Sequence, residues 1–494
     1  MPRDPRIIII GAGIGGLTAA ALLSRHFPVS VYEQHGAPGG KIRQITIDGR
    51  STDAGPTVFT MRWVFEDIFE QAGESFPDAV ELTKLDVLAR HTWRDQSHLV
   101  LYADQQRSYD AIHEMAGRKD AENYFQFCKQ TRAIYEALEG PFIRAEKPSI
   151  LNLMARRNPA SLFGINPFST LWDALARRFD DPRLQQLFAR YATYCGSSPY
   201  EAPATLMLIA HVEQEGVWAL DGGMQSLANA LWRIAEKNGA DFHFNENVDQ
   251  VRVKSGRATG VQLSNGEEVP AAAIVLNGDP GAIATGALGD AARRAYGAPA
   301  PDPISQSAFT LTTLAKTAGA DLSMHNVFFG DDYRAEFDAV FQHKAIPEKP
   351  TTYVFAPDRI CERSPPAGAE RLFCLINAPA LESGVANREE DIEECKRRIF
   401  EQLQACGLTL EQTSGPGVTT SPSDFATLFP GSRGALYGMA NHGWRASFQR
   451  RSVKTRLPGL YMTGGGVHPG PGVPMAALSG KMAAKMVKAA YGST

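Results

Sequence analysis

Ile7-Ile8-Ile9-Ile10-Gly11-Ala12-Gly13-Ile14-Gly15-Gly16-Leu17, followed shortly by Val29-Ser30-Val31-Tyr32-Glu33, decides the fold of this 494-residue chain. The β-branched run at 7–10 has the composition of a strand buried on both faces of a parallel sheet. Gly11 ends it, Leu17 to Leu23 has helical composition and spacing, and Val29 to Glu33 is a second strand, so the segment reads as a β-α-β unit. Gly11, Gly13 and Gly16 give the spacing G-x-G-x-x-G between the strand and the helix, and an acid, Glu33, closes the next strand. Gly11 permits a tight turn, Gly13 lets the backbone approach a pyrophosphate, and Gly16 allows close packing of helix on strand. The helix N-terminus offers free N–H groups and partial positive charge to that pyrophosphate. Glu33 is placed to accept hydrogen bonds from ribose hydroxyls, and its charge disfavours a 2′-phosphate, which argues against NADP.

Working outward, Pro38-Gly39-Gly40-Lys41 brings a second glycine pair and a cation to the phosphates or ribityl chain of a cofactor. Near the other end, Gly464-Gly465-Gly466 lies between a short strand, Gly459 to Thr463, and a last helix from about Pro474 to Ala490. A helix N-terminus aimed at a flavin's N1/O2 edge stabilises negative charge on the reduced ring. Glycine loops at both chain ends favour FAD over NAD. Between them, Val64 to about Gly216 reads as mostly helical, with breaks at Lys147-Pro148, Asn158-Pro159 and Asn166-Pro167. Strand-type runs return at Asp241–Phe244, Val248–Val253, Gly260–Leu263 and Ile274–Leu276, with a hairpin signal at Asn265-Gly266. A mixed region follows Pro301 and includes a helix from Glu389 to Cys406. The segments near residues 7, 29, 248, 274 and 460 are expected to share one sheet. The expected class is α/β: a Rossmann-type FAD-binding domain, a mixed α+β substrate domain, and a helical insert for membrane or substrate access. The FAD domain is expected to be discontinuous, from residues 1–63, 217–290 and 430–494, with the substrate- and membrane-facing region at 64–216 and 291–429.

At this length two or three domains are expected, and 44% hydrophobic with 21% charged residues is ordinary for a folded soluble protein. Fifty basic against 54 acidic side chains leave a net charge of -4, so no whole-chain electrostatic case for nucleic acid exists. The six cysteines are scattered without a C-x-x-C pair, which points to free thiols in a reducing cytosol and to no metal site. The uncharged stretch Ile7–Ser24 mimics a signal or membrane segment, but Gly11, Gly13, Gly15 and Gly16 interrupt it. It also falls short of the roughly 20 apolar residues a spanning helix needs and lacks an evident cleavage site. The chain is therefore expected to be neither secreted nor integral to a membrane.

Several segments together resemble the carotenoid (phytoene-type) desaturase family of amine-oxidase-like flavoproteins. They are Gly11–Gly16 with Glu33, Pro38–Lys41, Asp53-Ala-Gly-Pro-Thr-Val58, Gly216-Val-Trp218 with Gly222-Gly-Met224, Asn277-Gly-Asp-Pro280 and Gly459–Gly480, including His468-Pro-Gly-Pro-Gly-Val-Pro474. Thr60–Phe65, Arg190–Tyr194 and Ser198–Pro203 carry a narrower likeness to the 1-hydroxycarotenoid 3,4-desaturase (methoxyneurosporene dehydrogenase) branch. The resemblance implies an FAD site lined by Gly11, Gly13, Gly16, Glu33, Lys41, Val248, Gly466 and Met475. Val248 would meet the adenine through its backbone, and Met475 would offer its N–H to the flavin ring. It further implies an FAD-dependent oxidoreductase acting on CH–CH groups, which introduces a C=C bond into an acyclic carotenoid, most narrowly at the 3,4 position of a 1-hydroxy carotenoid. Its partners would be the lipophilic substrate and the membrane surface, the enzyme sitting peripherally on the cytoplasmic side. The electron acceptor stays open between a quinone and oxygen. An apolar helical patch for reaching the bilayer is expected among Trp63, Phe65, Phe69, Leu171 and Trp172. Asp424, Arg433 and His468 are polar candidates for acid–base work, set against the ordinary reading of solvated loop residues, and no catalytic residue is assigned. Two other readings stand beside this one. A flavin oxidase of amines or porphyrinogens uses the same architecture, as does a non-catalytic binding protein of the GDP-dissociation-inhibitor kind. The intact glycine turn and Glu33 weigh against the last.

Overall fold

The structure is a computed structural model that describes residues 5–148, 168–299, 302–362, 368–381 and 389–492. The expected breaks at Asn158-Pro159 and Asn166-Pro167 lie outside the described residues.

Five parallel strands form the first sheet, in the order Leu460–Thr463, Ala273–Asn277, Ile7–Ile10, Val29–Glu33 and Ala240–Phe244. Ile7, Ile8 and Ile9 have no solvent exposure because both faces of this central strand are covered. The edge beside Glu33 belongs to Ala240–Phe244, not to the strand at 248. After Phe244 the chain turns at Asn245, in a left-handed conformation, and Val248–Lys254 leaves to build a separate antiparallel sheet with Arg257–Leu263 and Glu268–Pro270. The Asn265-Gly266 turn is present, but its second arm is the short Glu268–Pro270; Ala273–Asn277 returns to the parallel sheet.

The helix Ile14–Leu23 is buried along its whole length. It packs between the helices Met224–Lys237 and Val473–Tyr491. Small residues set the spacing: a Cβ on Gly480 would sit 2.2 Å from the carbonyl oxygen of Gly15, so the first and last helices touch backbone to backbone.

The second sheet is eight-stranded. Its main path runs Leu408–Gln412, Ser307–Gly319, Glu370–Ala378, Thr352–Phe355, His325–Phe328, Val87–Thr92 and His98–Tyr102, with Val418–Thr420 also paired to Ser307–Gly319. Two of these strands come from the 64–216 segment, which is therefore less helical than its sequence reads. The alternating and β-branched content of Val87–Thr92 and Leu99–Tyr102, joined by the polar Asp95-Gln96-Ser97 turn, is the signal that helical spacing nearby obscures. Opposite faces of this sheet meet different neighbours. Phe309, Leu311, Leu372, Cys374, Ile376 and Val354 pack against Cys395, Ile399 and Leu403 of the helix Glu389–Ala405. Phe373, Phe355 and Val327 face the other way, into a core shared with Leu171, Leu175, Phe179 and Phe188.

The expected membrane-facing patch is not a surface. Phe65, Phe69 and Leu171 have no exposure, Trp63 lies half-buried under the Arg144 guanidinium at 3.6 Å, and Trp172 meets the Tyr200 ring at 4.7 Å, tilted by 41°. The helix Arg62–Ala72 turns its apolar side inward onto Phe59 and Phe76, so these residues are core. Among the described residues no helix is long and apolar enough to cross a membrane.

Gly480→Val places branched carbon where the Gly15 carbonyl stands. It is expected to lower folding stability by roughly 2–3 kcal/mol, read as a fall in the denaturation midpoint, whereas Ala477→Gly, which adds no atom, costs about 1 kcal/mol.

Candidate functional site

The carboxyl ends of the parallel strands open on a cavity of about 560 Å³. Gly11, Gly13, Ile14 and Gly15 form one wall with Glu33, and Gly464, Gly465, Gly466, Gly472 and Val473 form another. This is where ligands bind in open α/β sheets, because the loops there are free to diverge and the helix N-termini point inward.

Glu33, at the end of its strand, is 5% exposed. Its carboxylate accepts from the Ala12 N–H at 2.7 Å and from the His35 N–H at 2.9 Å. Two backbone donors fix its direction, and each oxygen keeps a further acceptor site. The Glu33 carbonyl accepts from the Glu246 N–H at 3.0 Å, which brings Glu246, Asn247 and Val248 to the same end of the cavity. At the glycine turn, a Cβ on Gly13 would come within 2.5 Å of the Asn277 amide nitrogen, and one on Gly16 within 2.2 Å of the Gly11 carbonyl oxygen.

The helices Ile14–Leu23 and Val473–Tyr491 both begin at this cavity, at Gly13 and Gly472. Neither N-cap carries a side-chain cap, and neither first turn holds an acidic residue. Their first-turn N–H groups and dipoles are thus left for an anionic ligand, one suited to a pyrophosphate and one to the carbonyl edge of a flavin. The donor set and the glycine cradle fit FAD.

Lys41 and Asp279 line the cavity, and Arg450 ties together loops beside it. The Lys41 ammonium donates to the Leu436 carbonyl and lies 5.4 Å over the Phe429 ring. Burial holds it below the usual lysine range, while the Asp279 carboxylate pulls the other way. Asp279 caps the short helix Pro280–Ala284 by accepting from the Gly281 N–H at 2.7 Å, and burial raises its carboxyl. Arg450 is 8% exposed and clasps carbonyls from two loops: those of Tyr437 at 3.1 Å and Met439 at 2.7 Å, and that of Gly465 at 3.2 Å. Burial lowers it to about 10, with the Asp279 carboxylate pulling the other way.

Of the residues the resemblance implies, Gly11, Gly13, Glu33, Lys41, Val248 and Gly466 stand on the cavity wall. Gly16 lies behind the turn, in the packing position its spacing indicates. Met475 is in the first turn of the last helix, beside the lining residues Gly472, Val473 and Ala476. The three acid–base candidates stand off the wall. Asp424 closes a capping box with Ser421, accepting from its N–H at 2.7 Å. Arg433 is exposed, in a left-handed conformation. The His468 Nε2 pairs with the Ala145 carbonyl at 2.8 Å, and burial lowers its imidazole to about 4. Asp53 and Arg450 emerge only from the structure. The Asp53 carboxylate accepts from the Met224 N–H at 2.8 Å, pinning a helix 171 positions away in sequence. Asp53 opens a segment already legible in the sequence, whereas Arg450 sits in a plain Arg-Arg pair with no spacing that marks it.

The sequence matches the family described as flavin containing amine oxidoreductase over residues 14–488. A hydroxyneurosporene desaturase of Rubrivivax gelatinosus is 48% identical over 497 residues, covering 100% of this chain and 95% of that protein. The hydroxyneurosporene desaturase of Cereibacter sphaeroides is 41% identical, with 98% of each chain covered. Among solved structures, an oxidoreductase from Methanosarcina mazei superposes with a TM-score of 0.62 at 17% identity, covering 96% of this chain and 99% of that one.

Glu33→Ala removes the acceptor at the lip of the glycine turn. FAD retention is expected to weaken roughly tenfold to a hundredfold, measured as the dissociation constant by flavin fluorescence, with the fold unchanged by circular dichroism.

Proposed function

The chain belongs to the flavin containing amine oxidoreductase family, and from that footing we propose that it is the FAD-dependent desaturase of an acyclic, 1-hydroxylated carotenoid, which it oxidises at the 3,4 position. The likeness to hydroxyneurosporene desaturases over the full chain carries this reading. The cavity supports it, since Phe373, Leu375, Phe425, Leu428, Phe429 and Leu436 are among the residues that line it. Such apolar lining suits a hydrocarbon.

FAD, when bound, supplies the acceptor for the hydride that leaves a CH–CH unit. Gly11, Gly13, Gly16, Glu33, Lys41, Val248, Gly466 and Met475 hold it in this reading. The two uncapped helix N-termini would meet its pyrophosphate and ring, and Glu33 would take a ribose hydroxyl. The apolar wall excludes water and aligns the chain, which is most of what the protein contributes to a hydride transfer. The proton that leaves the neighbouring carbon needs only a weak acceptor, because the carbon losing hydride becomes electron-poor and allylic. The FAD part is drawn from residues 1–63, 217–290 and 430–494, and the substrate part from 64–216 and 291–429.

A substrate that resides in the bilayer calls for peripheral attachment, here assigned to the cytoplasmic membrane face. Phe168, 74% exposed, meets Trp444 edge-on at 5.4 Å, and the Arg445 guanidinium lies 4.6 Å from the Trp444 ring. Aromatic rings beside a cation suit the headgroup level of a membrane. A quinone would meet the enzyme there as electron acceptor, with oxygen as the other candidate.

Expressed in cells that accumulate hydroxyneurosporene, the protein is expected to yield a pigment with one more conjugated double bond, seen as a red-shifted spectrum. An unchanged pigment, with FAD-loaded protein present, overturns the assignment. Flotation of the lysate on a density gradient is expected to carry the protein up with membranes, and Phe168→Ser with Trp444→Ser to reduce that fraction. Protein that stays wholly at the bottom contradicts the peripheral attachment.

A further inference from the structure

The sheet face that closes the cavity continues onto the next two strands, where Tyr353 and His325 stand among Phe355 and Val327. Thr310, Phe373 and Leu375 line the cavity. Tyr353 pairs across the ladder with Leu375, Phe355 pairs with Phe373, and His325 pairs with Phe355, so all share one face. With strands about 4.8 Å apart, Tyr353 stands one spacing from the cavity wall and His325 about 10 Å from Phe373.

Three side chains are chained together there. The Tyr353 hydroxyl lies 2.7 Å from Thr57 Oγ1 and 2.7 Å from His325 Nδ1. Thr57 directly follows Gly55 and Pro56 of the cavity wall. The His325 ring is sandwiched in register with Phe355 at 5.6 Å and is 3% exposed. Its Nε2 is buried and has no hydrogen-bond partner among the described residues. Burial and the nearby Arg190 charge hold the imidazole neutral, lowering it to about 3. A neutral ring is constrained at Nε2 by what Nδ1 does. If the Tyr353 hydroxyl donates to Nδ1, then Nε2 carries a hydrogen; if it donates to Thr57, then Nε2 is a bare acceptor. An alcohol, which is donor and acceptor at once, completes either state. A hydrocarbon completes neither, and a buried group left unpaired is what makes a site reject the analogue that lacks its hydroxyl.

We propose that His325, positioned by Tyr353 and Thr57, is a specificity-determining residue that receives the hydroxyl group of the substrate, so that the enzyme selects a hydroxylated polyene over its deoxy counterpart. The proposal rests on the reading of the chain as a desaturase of a hydroxylated carotenoid.

The test compares kcat/KM of FAD-loaded enzyme on hydroxyneurosporene and on neurosporene, both supplied in lipid vesicles. His325→Phe keeps the ring stack and removes both nitrogens. It is expected to lower kcat/KM on hydroxyneurosporene roughly 10- to 100-fold and to change that on neurosporene by less than about threefold. His325→Gln, which restores a donor and an acceptor, is expected to recover most of the preference, a rescue that a purely structural role would not give. Tyr353→Phe removes a single hydroxyl and is expected to erode the same preference, which keeps the comparison available should His325→Phe lose its flavin. Equal losses on both substrates, or an undiminished preference in all three variants, overturn the pocket while leaving the desaturase reading intact. A wild type that shows no preference for the hydroxylated substrate also overturns the pocket. A wild type inactive on both overturns the desaturase reading first, and the pocket with it.

Discussion

Backbone meets backbone at Gly15 and Gly480, and the cofactor domain is organised around that approach. A Cβ on Gly15 would lie 2.9 Å from the Gly464 nitrogen and 3.0 Å from the Ala476 carbonyl oxygen, and Gly480 returns the contact from the last helix. The first and final segments of the chain are thereby held against one another, with the Asn277 amide as the side chain nearest Gly15. Because they touch, the two helix N-termini and the glycine loops at 11–15 and 464–466 border one cavity. Larger residues at these positions would separate the helices and move the donors away from a shared ligand.

The polar groups around the cavity serve this geometry. Glu33 is fixed by the Ala12 and His35 N–H groups, Asp53 receives the start of the helix Met224–Lys237, and Asp279 caps another helix. Arg450 ties the 437–441 loop to the 465 loop through backbone carbonyls and the Asn441 amide oxygen, so a buried cation is distributed over several partial charges. Each group orders a segment that borders the ligand space. Such anchors matter because a cofactor held within tenths of an ångström needs neighbours that do not move.

The eight-stranded sheet divides the rest of the molecule by the simple alternation of its strands. One face packs against the helix Glu389–Ala405, and the other carries the cavity wall and, two strands on, the buried His325–Tyr353–Thr57 chain. A continuous apolar face would hold any hydrocarbon.

The β-α-β unit, the FAD-type glycine loops at both chain ends and the acid at Glu33 were legible in the sequence, because each depends on local spacing and on residue types with narrow conformational roles. So was the position of the last helix and of the helix near 389–405. Sheet membership was not: the exchange of Ala240–Phe244 for Val248–Lys254, and the entry of Val87–Thr92 and His98–Tyr102 into a sheet built mainly from residues beyond 300, are set by pairing between distant strands. The same limit explains Trp63, Phe65, Phe69, Leu171 and Trp172, whose helical spacing is identical for a face turned to a membrane and one turned to a core. Only tertiary packing decides which of the two it covers, and here it turned them inward. Arg450 and His325 belong to that second class as well, since a buried clasp and an unpaired ring nitrogen exist only once several remote segments have closed around them.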